Sequence, residues 1–182
     1  GDGGVDDNAR DIIGNPNPDF TYGFQTKVSW KSLSLSASFN GVQGRDILNV
    51  GNRYNNTPGT KSNNVTRKAF QNMWTDENPS NLYPKSTFVV QNMVMDRYVE
   101  DGSYLRCSDI TLSYVLPAKW TNKIGIKNTS VYASVKNAFV ITDYSGYDPE
   151  VNSFAFDGLR PGVDMNSYPT PRSFVFGLNL TF

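Results

Sequence analysis

The chain has 182 residues with 17 basic and 17 acidic side chains, 13% aromatic residues, no histidine and one cysteine. A net charge of zero gives no electrostatic basis for binding nucleic acid, and the single Cys107 excludes a disulfide framework or a thiolate metal cluster within the chain. No apolar run approaches the roughly 18 residues that a membrane helix needs, although strands that span a membrane would leave no such run.

The first 19 residues are predicted to form a loop, because two prolines and a glycine fall within residues 14–18. The start of this loop is similar to the middle of a calcium loop, in which alternate Asp side chains supply oxygen ligands around a turn at glycine. Asp2 and Asp6 are the candidate ligands for calcium. The alternative is a solvated acidic turn, and Ala9 stands where a complete calcium loop places an acidic residue.

Two strands with period-two patterning follow, over residues 20–30 and 33–44. Large apolar residues such as Phe24, Val28 and Trp30 alternate with small or polar ones in the first strand, and the second strand repeats the pattern. The two residues between the strands leave room only for a tight turn. The pattern predicts a hairpin with one apolar and one polar face.

The period is lost from Gly41 to about Gly102, where Asn-Asn pairs and prolines accumulate. A connection of this length is long for a structureless segment and therefore indicates a functional loop. Val65 to Trp74 is predicted to hold a short helix.

Alternation returns in two further strands, over residues 104–116 and 129–141. In the first of these, strict alternation places Cys107 and Asp109 together on the face opposite Ile110. Asp109 and Lys136 then fall on the inner faces of neighbouring strands, where they either form an ion pair or are separately hydrated.

A second long loop, 142–171, leads to a last strand over residues 172–182. Phe174, Phe176 and Phe182 lie on one face of this strand, and the opposite face is mostly small or polar. The connections between strands are alternately short and long. This asymmetry is typical of a transmembrane β-barrel, with tight turns on the periplasmic side and long loops outside.

The pattern as a whole predicts an all-β fold: about five last strands of a large antiparallel transmembrane β-barrel with long extracellular loops. Residues 1–19 would be an extracellular loop and residues 20–182 the barrel part. Five strands cannot close a barrel, and open sheet edges are not tolerated in lipid. Either several copies complete one barrel or the chain is the C-terminal piece of a larger polypeptide, and the pattern favours the piece.

Blocks spread over nearly the whole chain resemble the C-terminal end of the SusC/RagA-type TonB-dependent transporters of the Bacteroidetes outer membrane. The blocks are residues 14–20, 101–106, 110–117, 144–150, 162–164 and 168–172. The resemblance implies a barrel of about 22 strands in outer-membrane lipid, filled by an N-terminal plug, energised through TonB and covered by a SusD-like lipoprotein. It also implies import of glycans or oligopeptides, and an assembly signal formed by Phe174, Phe176 and Phe182.

Candidate contacts with the substrate or the lipoprotein lid are aromatic and acidic residues of the loops. Aromatic rings stack on sugars or peptide side chains, and carboxylates accept hydrogen bonds from hydroxyl or amide groups. The candidates are Trp74, Tyr144, Tyr147, Asp148, Glu150 and Phe156. The alternative is that residues 144–150 are a folded turn that holds the loop in place.

Two other classes of protein are alternatives to a transporter. An enzyme is disfavoured, because the chain has no histidine to activate a nucleophile and no motif around any of its acidic residues. A soluble or surface carbohydrate-binding β-sandwich remains the alternative, and it predicts a core buried between two sheets.

Overall fold

Strands account for most of the regular structure. The computed structural model describes residues 10–57, 64–80, 82–86, 94–121, 126 and 128–181. The strands in these ranges are β1 (Phe20–Trp30), β2 (Leu33–Gln43), β3 (Asp46–Asn49), β4 (Val99–Asp101), β5 (Tyr104–Val115), β6 (Asn128–Thr142), β7 (Val163–Asp164) and β8 (Ser173–Thr181). The helices are α1 (Val50–Asn56), α2 (Arg67–Asn72) and α3 (Ala118–Thr121), with one 3-10 turn at Asp96–Tyr98. Over the described residues, no helix has the length and apolar character required to cross a membrane.

Five strands form a single antiparallel sheet in the order β1-β2-β5-β6-β8. They belong to a compact sheet unit composed of Pro18–Gly44, Gly102–Asp143 and Pro169–Phe182. Each strand lies within one residue of its predicted bounds, because alternation over 9 to 15 residues is a strong signal. The prediction of an all-β fold with about five long antiparallel strands is confirmed.

One face of this sheet carries large apolar side chains that remain accessible. Val28, Trp30 and Phe176 are 64%, 69% and 78% exposed. Phe24 and Phe39 lie directly opposite each other on β1 and β2, and their rings stack at 4.6 Å between centroids. A sheet face of this size and composition requires an apolar environment to cover it.

A β-bulge in β5 changes the face that Cys107 occupies. Asp109 lies opposite Ser38 and Cys107 lies opposite Phe39, so Ser108 is an extra residue on β5. Because one inserted residue moves the following side chains to the other face, Cys107 shares the apolar face with Phe39. The prediction that Cys107 and Asp109 share a face was therefore wrong.

Asp109 and Lys136 form an ion pair across β5 and β6. The two residues are directly opposite in register, and Lys136 Nζ lies 2.7 Å from Asp109 Oδ2. Ser134 and Thr111 also donate hydrogen bonds to the carboxylate. Of the two alternatives left open by the sequence, the structure shows the ion pair.

The remaining segments form a second compact unit, the loop unit, composed of Gly1–Asn17, Arg45–Asp101 and Tyr144–Tyr168. It contains a three-stranded sheet in the order β4-β3-β7, in which β3 and β7 are parallel. The predicted short helix within Val65 to Trp74 is present as α2. The description of 41–102 as an aperiodic loop was otherwise incomplete, because it missed β3, α1 and β4, which are too short to show a period.

The loop unit has a small core in which the two long loops meet. Ile47, Tyr144 and Val151 form its buried apolar cluster. Leu48 N donates to Gly162 O at 2.8 Å, and Gly162 has a φ of 69°. A Cβ at Gly162 would lie 2.9 Å from the backbone oxygen of Asp46, so the close approach of the two segments requires glycine here.

Candidate ligand-binding site

Glu100 on β4 is the centre of a hydrogen-bond network in the loop unit. Its carboxylate accepts bonds from the backbone N and the Oγ of Ser145, both at 2.9 Å. Asn49 and Asn52 donate their side-chain amides to Glu100 Oε1 at 3.0 and 2.9 Å. Partial burial by itself raises the pKa of Glu100, but these hydrogen bonds outweigh the burial and the net pKa is lowered. Glu100 is therefore a charged anchor that joins β4, α1 and the segment after β6.

Tyr144 and Asp164 make a second, more deeply buried contact between the same segments. The Tyr144 hydroxyl donates to Asp164 Oδ2 at 2.7 Å, and the two residues are 5% and 3% exposed. Burial, and then the adjacent Asp164 carboxylate, raise the pKa of the Tyr144 phenol well above its ordinary value. Ser167 N donates to the other carboxylate oxygen at 3.0 Å. The phenol thus remains protonated and acts as a hydrogen-bond donor.

Residues 148–151 form a tight turn. Glu150 N donates to Asp148 Oδ1 at 2.9 Å, and Val151 N donates to Asp148 O at 3.3 Å. Pro149 is fully buried, and Arg45 Nη2 donates to its carbonyl oxygen. Asx turns of this kind satisfy the backbone locally. This geometry agrees with the alternative in which residues 144–150 form a folded turn that holds the loop in place.

Four asparagines at and within α1 face a cleft of about 240 Å³, which we call the asparagine cleft. The Asn49 side chain caps the helix by accepting from Asn52 N at 2.8 Å. The described lining residues are Asn49, Asn52, Asn55, Asn56, Thr66, Ser145, Gly146, Tyr147, Asp164 and Asn166. No aliphatic side chain is among these described residues. Asn49 donates both amide N–H groups within the loop unit, whereas Asn52 and Asn56 each donate only one. The cleft therefore retains amide donors that suit a ligand with hydroxyl or amide groups.

The structure separates the six predicted contact residues. Tyr147 is 74% exposed and lines the asparagine cleft. Tyr144 and Asp148 are buried and hold the loop together, whereas Glu150 is exposed beside the turn. Phe156 is 90% exposed, and Trp74 is half-buried with Lys85 Nζ 4.8 Å from its ring centroid. Neither Phe156 nor Trp74 is among the described residues of the cleft.

Sequence reasoning missed the amide and hydroxyl side chains of the cleft. The sequence pattern places Asn49, Asn52 and Asn56 in the first long loop and Ser145 and Asn166 in the second, without predicting ligand contact for any of them. The available signal was the density of asparagine between residues 49 and 64, which is unusual for one short segment. The contribution of Ser145 and Asn166 could not be found in the same way, because both lie far along the chain.

The remaining predicted sites lie partly outside the described residues. Asp2 and Asp6, the candidate calcium ligands, fall there, and calcium binding stays a prediction. Among the residues that the structure describes, no group of three or more His, Cys, Asp or Glu residues could hold a metal ion. Phe174 and Phe176 lie exposed on one face of β8, whereas Phe182 is outside the described residues. Their role as an assembly signal also stays a prediction.

Comparison with known proteins gives matches that extend over the whole of this chain but over less than a fifth of each relative. No protein-family model matches the chain. It is 33% identical over 190 residues to the TonB-dependent receptor P26 of Formosa agariphila, covering 100% of this chain and 19% of that protein. It is also 33% identical over 189 residues to the TonB-dependent receptor SusC of Bacteroides thetaiotaomicron, covering 100% of this chain and 17% of SusC.

Solved structures give the same result. The chain superposes on the RagAB peptide transporter with a TM-score of 0.79 and 29% identity, over 94% of this chain and 18% of the matched chain. The chain therefore spans about a fifth of the length of the relatives it matches. The relatives named here are receptors and a transporter rather than enzymes, in agreement with the prediction that the chain is not an enzyme.

Proposed function

We propose that this chain, which belongs to the SusC/RagA-type TonB-dependent receptors, forms part of the barrel wall and the outer loops of a transporter that imports oligomeric nutrients across the outer membrane. One observation carries the proposal. A chain that aligns over its whole length with these receptors folds into long antiparallel strands with an exposed, bulky apolar face.

The sheet unit supports a position in the barrel wall. A strand of about 9–11 residues tilted by about 45° spans the hydrocarbon layer, and the long strands have at least nine residues. β1 and β8 each pair on one side only within the described chain. Because lipid does not tolerate an open sheet edge, these edges would pair with strands from the rest of the same barrel, which also holds the plug and contacts TonB.

The exposure of the apolar face argues against a soluble β-sandwich. In such a fold the face with Phe24, Val28 and Phe176 would be buried against a second sheet. These side chains are instead 50% to 78% exposed. Lipid covers such a face without any further protein layer.

The loop unit supports a role in contacting the imported oligomer, a glycan or an oligopeptide. The asparagine cleft supplies amide and hydroxyl groups, and the exposed Tyr147 supplies a ring that can stack on a sugar or a side chain. A SusD-like lipoprotein would cover these loops as a lid. RagAB, one of the structural neighbours, is described as a peptide transporter.

Neighbouring residues on β1 test the membrane position directly. Val28 and Lys27 point to opposite faces of the strand. In the full-length protein, we expect Val28→Cys to resist a charged maleimide added from water, and a fluorophore attached there to be quenched by brominated lipid. Lys27→Cys should react with the charged reagent and escape quenching. Equal labelling of both variants from water would contradict a lipid-facing sheet.

A further inference from the structure

A second cleft in the loop unit shares two of its lining asparagines with the asparagine cleft. Its volume is about 530 Å³, and we call it the basic cleft. The described lining residues are Asn52, Asn56, Lys68, Leu82, Tyr83, Arg97 and Tyr98. Asn52 and Asn56 line the asparagine cleft as well, so the two clefts are adjacent and one oligomer could occupy both.

Two cations but no carboxylate are found among the described residues of the basic cleft. Lys68 is exposed on α2 and makes no ion pair with any residue that the structure describes. Arg97 is fixed to the wall because its Nη2 donates to the carbonyl oxygen of Leu82. A guanidinium has five N–H donors, so Arg97 retains donors for a ligand.

Two tyrosines, Tyr83 and Tyr98, are also among the described lining residues of the basic cleft. Tyr98 is buried, and the Arg97 guanidinium lies 5.7 Å from its ring centroid. Tyr83 is half-buried, and its carbonyl accepts a bond from Trp74 N at 3.0 Å, which fixes the backbone beside it. Arg97 therefore stands on a supported surface, which reduces the entropy lost when a ligand binds to it.

We propose that the basic cleft binds an acidic group, carboxylate or sulfate, of an oligosaccharide whose neighbouring sugars occupy the asparagine cleft. Lys68 and Arg97 provide the charge that attracts the acidic group. Asn52 and Asn56, which line both clefts, each donate one of their two amide N–H groups within the loop unit and so retain a donor for a ligand hydroxyl. Leu82 is the one aliphatic side chain among the described residues of the two clefts, so the lining offers little for the apolar side chains of a peptide.

This inference rests on the proposed function and names the substrate class more narrowly. Its test uses the full-length protein in detergent and four probes of equal length: maltoheptaose, a sulfated maltoheptaose, heptagalacturonate and heptaglutamate. Binding is measured by calorimetry at low and at high salt. We expect the two acidic saccharides to bind more tightly than maltoheptaose, with an advantage that falls as salt rises.

Lys68→Gln and its neighbour Arg67→Gln form a matched pair on α2. Both remove one positive charge, but only Lys68 lines the basic cleft. Lys68→Gln should weaken binding of the acidic saccharides about fivefold and leave maltoheptaose unchanged, whereas Arg67→Gln should change neither by more than about twofold. Arg97→Lys keeps the charge and should retain most of the preference.

The outcomes separate the two proposals. Equal binding of neutral and acidic saccharides, or equal effects of Lys68→Gln and Arg67→Gln, would overturn the acidic subsite and leave the transporter intact. Tight binding of heptaglutamate alone would replace the saccharide with an acidic peptide. Binding of none of the four probes would contradict a ligand site in these loops altogether.

Discussion

Individual side chains in the loop unit divide into those that hold the loops and those that face the clefts. Glu100, Tyr144 and Asp148 each form hydrogen bonds within the unit. Tyr147 and Lys68 are exposed and line clefts. Substitutions in the first group should therefore change stability, and substitutions in the second should change ligand binding.

Replacing Glu100 should loosen the loop unit in a pH-dependent way. Glu100→Ala removes the acceptor of four hydrogen bonds, and we expect local stability at pH 7 to fall by about 1–3 kcal/mol. Because the folded pKa of Glu100 is lowered, its contribution is present above the unfolded pKa and is lost as pH falls through the folded value. Protection factors from hydrogen exchange over 144–147, corrected for intrinsic rates, would measure both effects.

The matched control for Glu100 is Glu77→Ala, which removes an exposed carboxylate from the same unit. It should leave the protection of 144–147 unchanged at every pH. Glu100→Gln should abolish the loss of protection that is expected in the native protein as pH falls through the lowered folded pKa of Glu100. A pH profile identical in Glu100→Gln and the native protein would show that this carboxylate is not the titrating anchor.

Removing the hydroxyl group should lower the stability of the loop unit at Tyr144 but not at Tyr147, although the two residues are only three positions apart. Tyr144→Phe removes the donor to the buried Asp164 and should destabilise the loop unit by about 1–3 kcal/mol. Tyr147→Phe should stay within about 0.5 kcal/mol of the native protein, because the ring is exposed. Tyr147→Ala should weaken binding of an imported oligomer without a change in protection from hydrogen exchange. Loss of protection in both Phe variants would contradict the assignment of Tyr144 to loop stability and of Tyr147 to ligand contact.

At the level of elements, the sheet uses two tyrosine–glycine pairs across neighbouring strands. Tyr22 lies opposite Gly41 on β1 and β2, and Tyr132 lies opposite Gly177 on β6 and β8. At both glycines an added Cβ would overlap the end of the tyrosine ring. The ring of each tyrosine thus covers the bare backbone of the opposite glycine, which fixes the register of the pair.

Adding a methyl group at Gly177 should impair the pairing of β8 with β6. The Tyr132 ring would have to leave its place, at a cost of about 1–3 kcal/mol. We expect Gly177→Ala to lower the amount of heat-modifiable folded protein in the membrane, and Tyr132→Ala in the same chain to restore part of it. Gly23→Ala is the control, because its Cβ would meet only Phe39 O, at 3.4 Å. Equal losses in Gly23→Ala and Gly177→Ala would contradict a specific role for the ring.

At the scale of the whole molecule, the sheet requires partners that the described chain does not contain. β1 and β8 are the two edges of the sheet, and each is paired on one side only among the described residues. About 22 strands are expected for a plugged outer-membrane transporter of this kind. The five long strands would therefore be less than a quarter of the complete wall.

The size of the complete protein can be measured simply. This chain of 20.3 kDa corresponds to about a fifth of its relatives, so we expect an intact mass on the order of 100 kDa for the protein extracted in detergent. Mass spectrometry of the extracted protein would test this value. A mass near that of the chain alone would mean that several copies or separate chains complete the barrel, and would require a different model of transport.

The sequence by itself determined the five long strands, their bounds within one residue and their accessible apolar face. Alternation over nine or more residues in each strand is a local signal, because it depends only on residues that are close in the sequence. It also indicated the short helix α2 and the two alternatives for residues 144–150. It could not show the bulge at Ser108. An inserted residue leaves the alternation on each side of it intact and changes only which sheet face one side occupies relative to the other.

Only the tertiary structure decided how the loops are organised. β3 and β7 are four and two residues long and lie more than a hundred residues apart in the chain, so neither has a period to recognise. Separations of 45 and 20 residues likewise hide the contacts of Glu100 with Ser145 and of Tyr144 with Asp164. Both clefts are lined by asparagine and tyrosine side chains drawn from several segments, and the basic cleft adds Lys68 and Arg97. Such a surface exists only once hydrogen bonds between those segments bring them together.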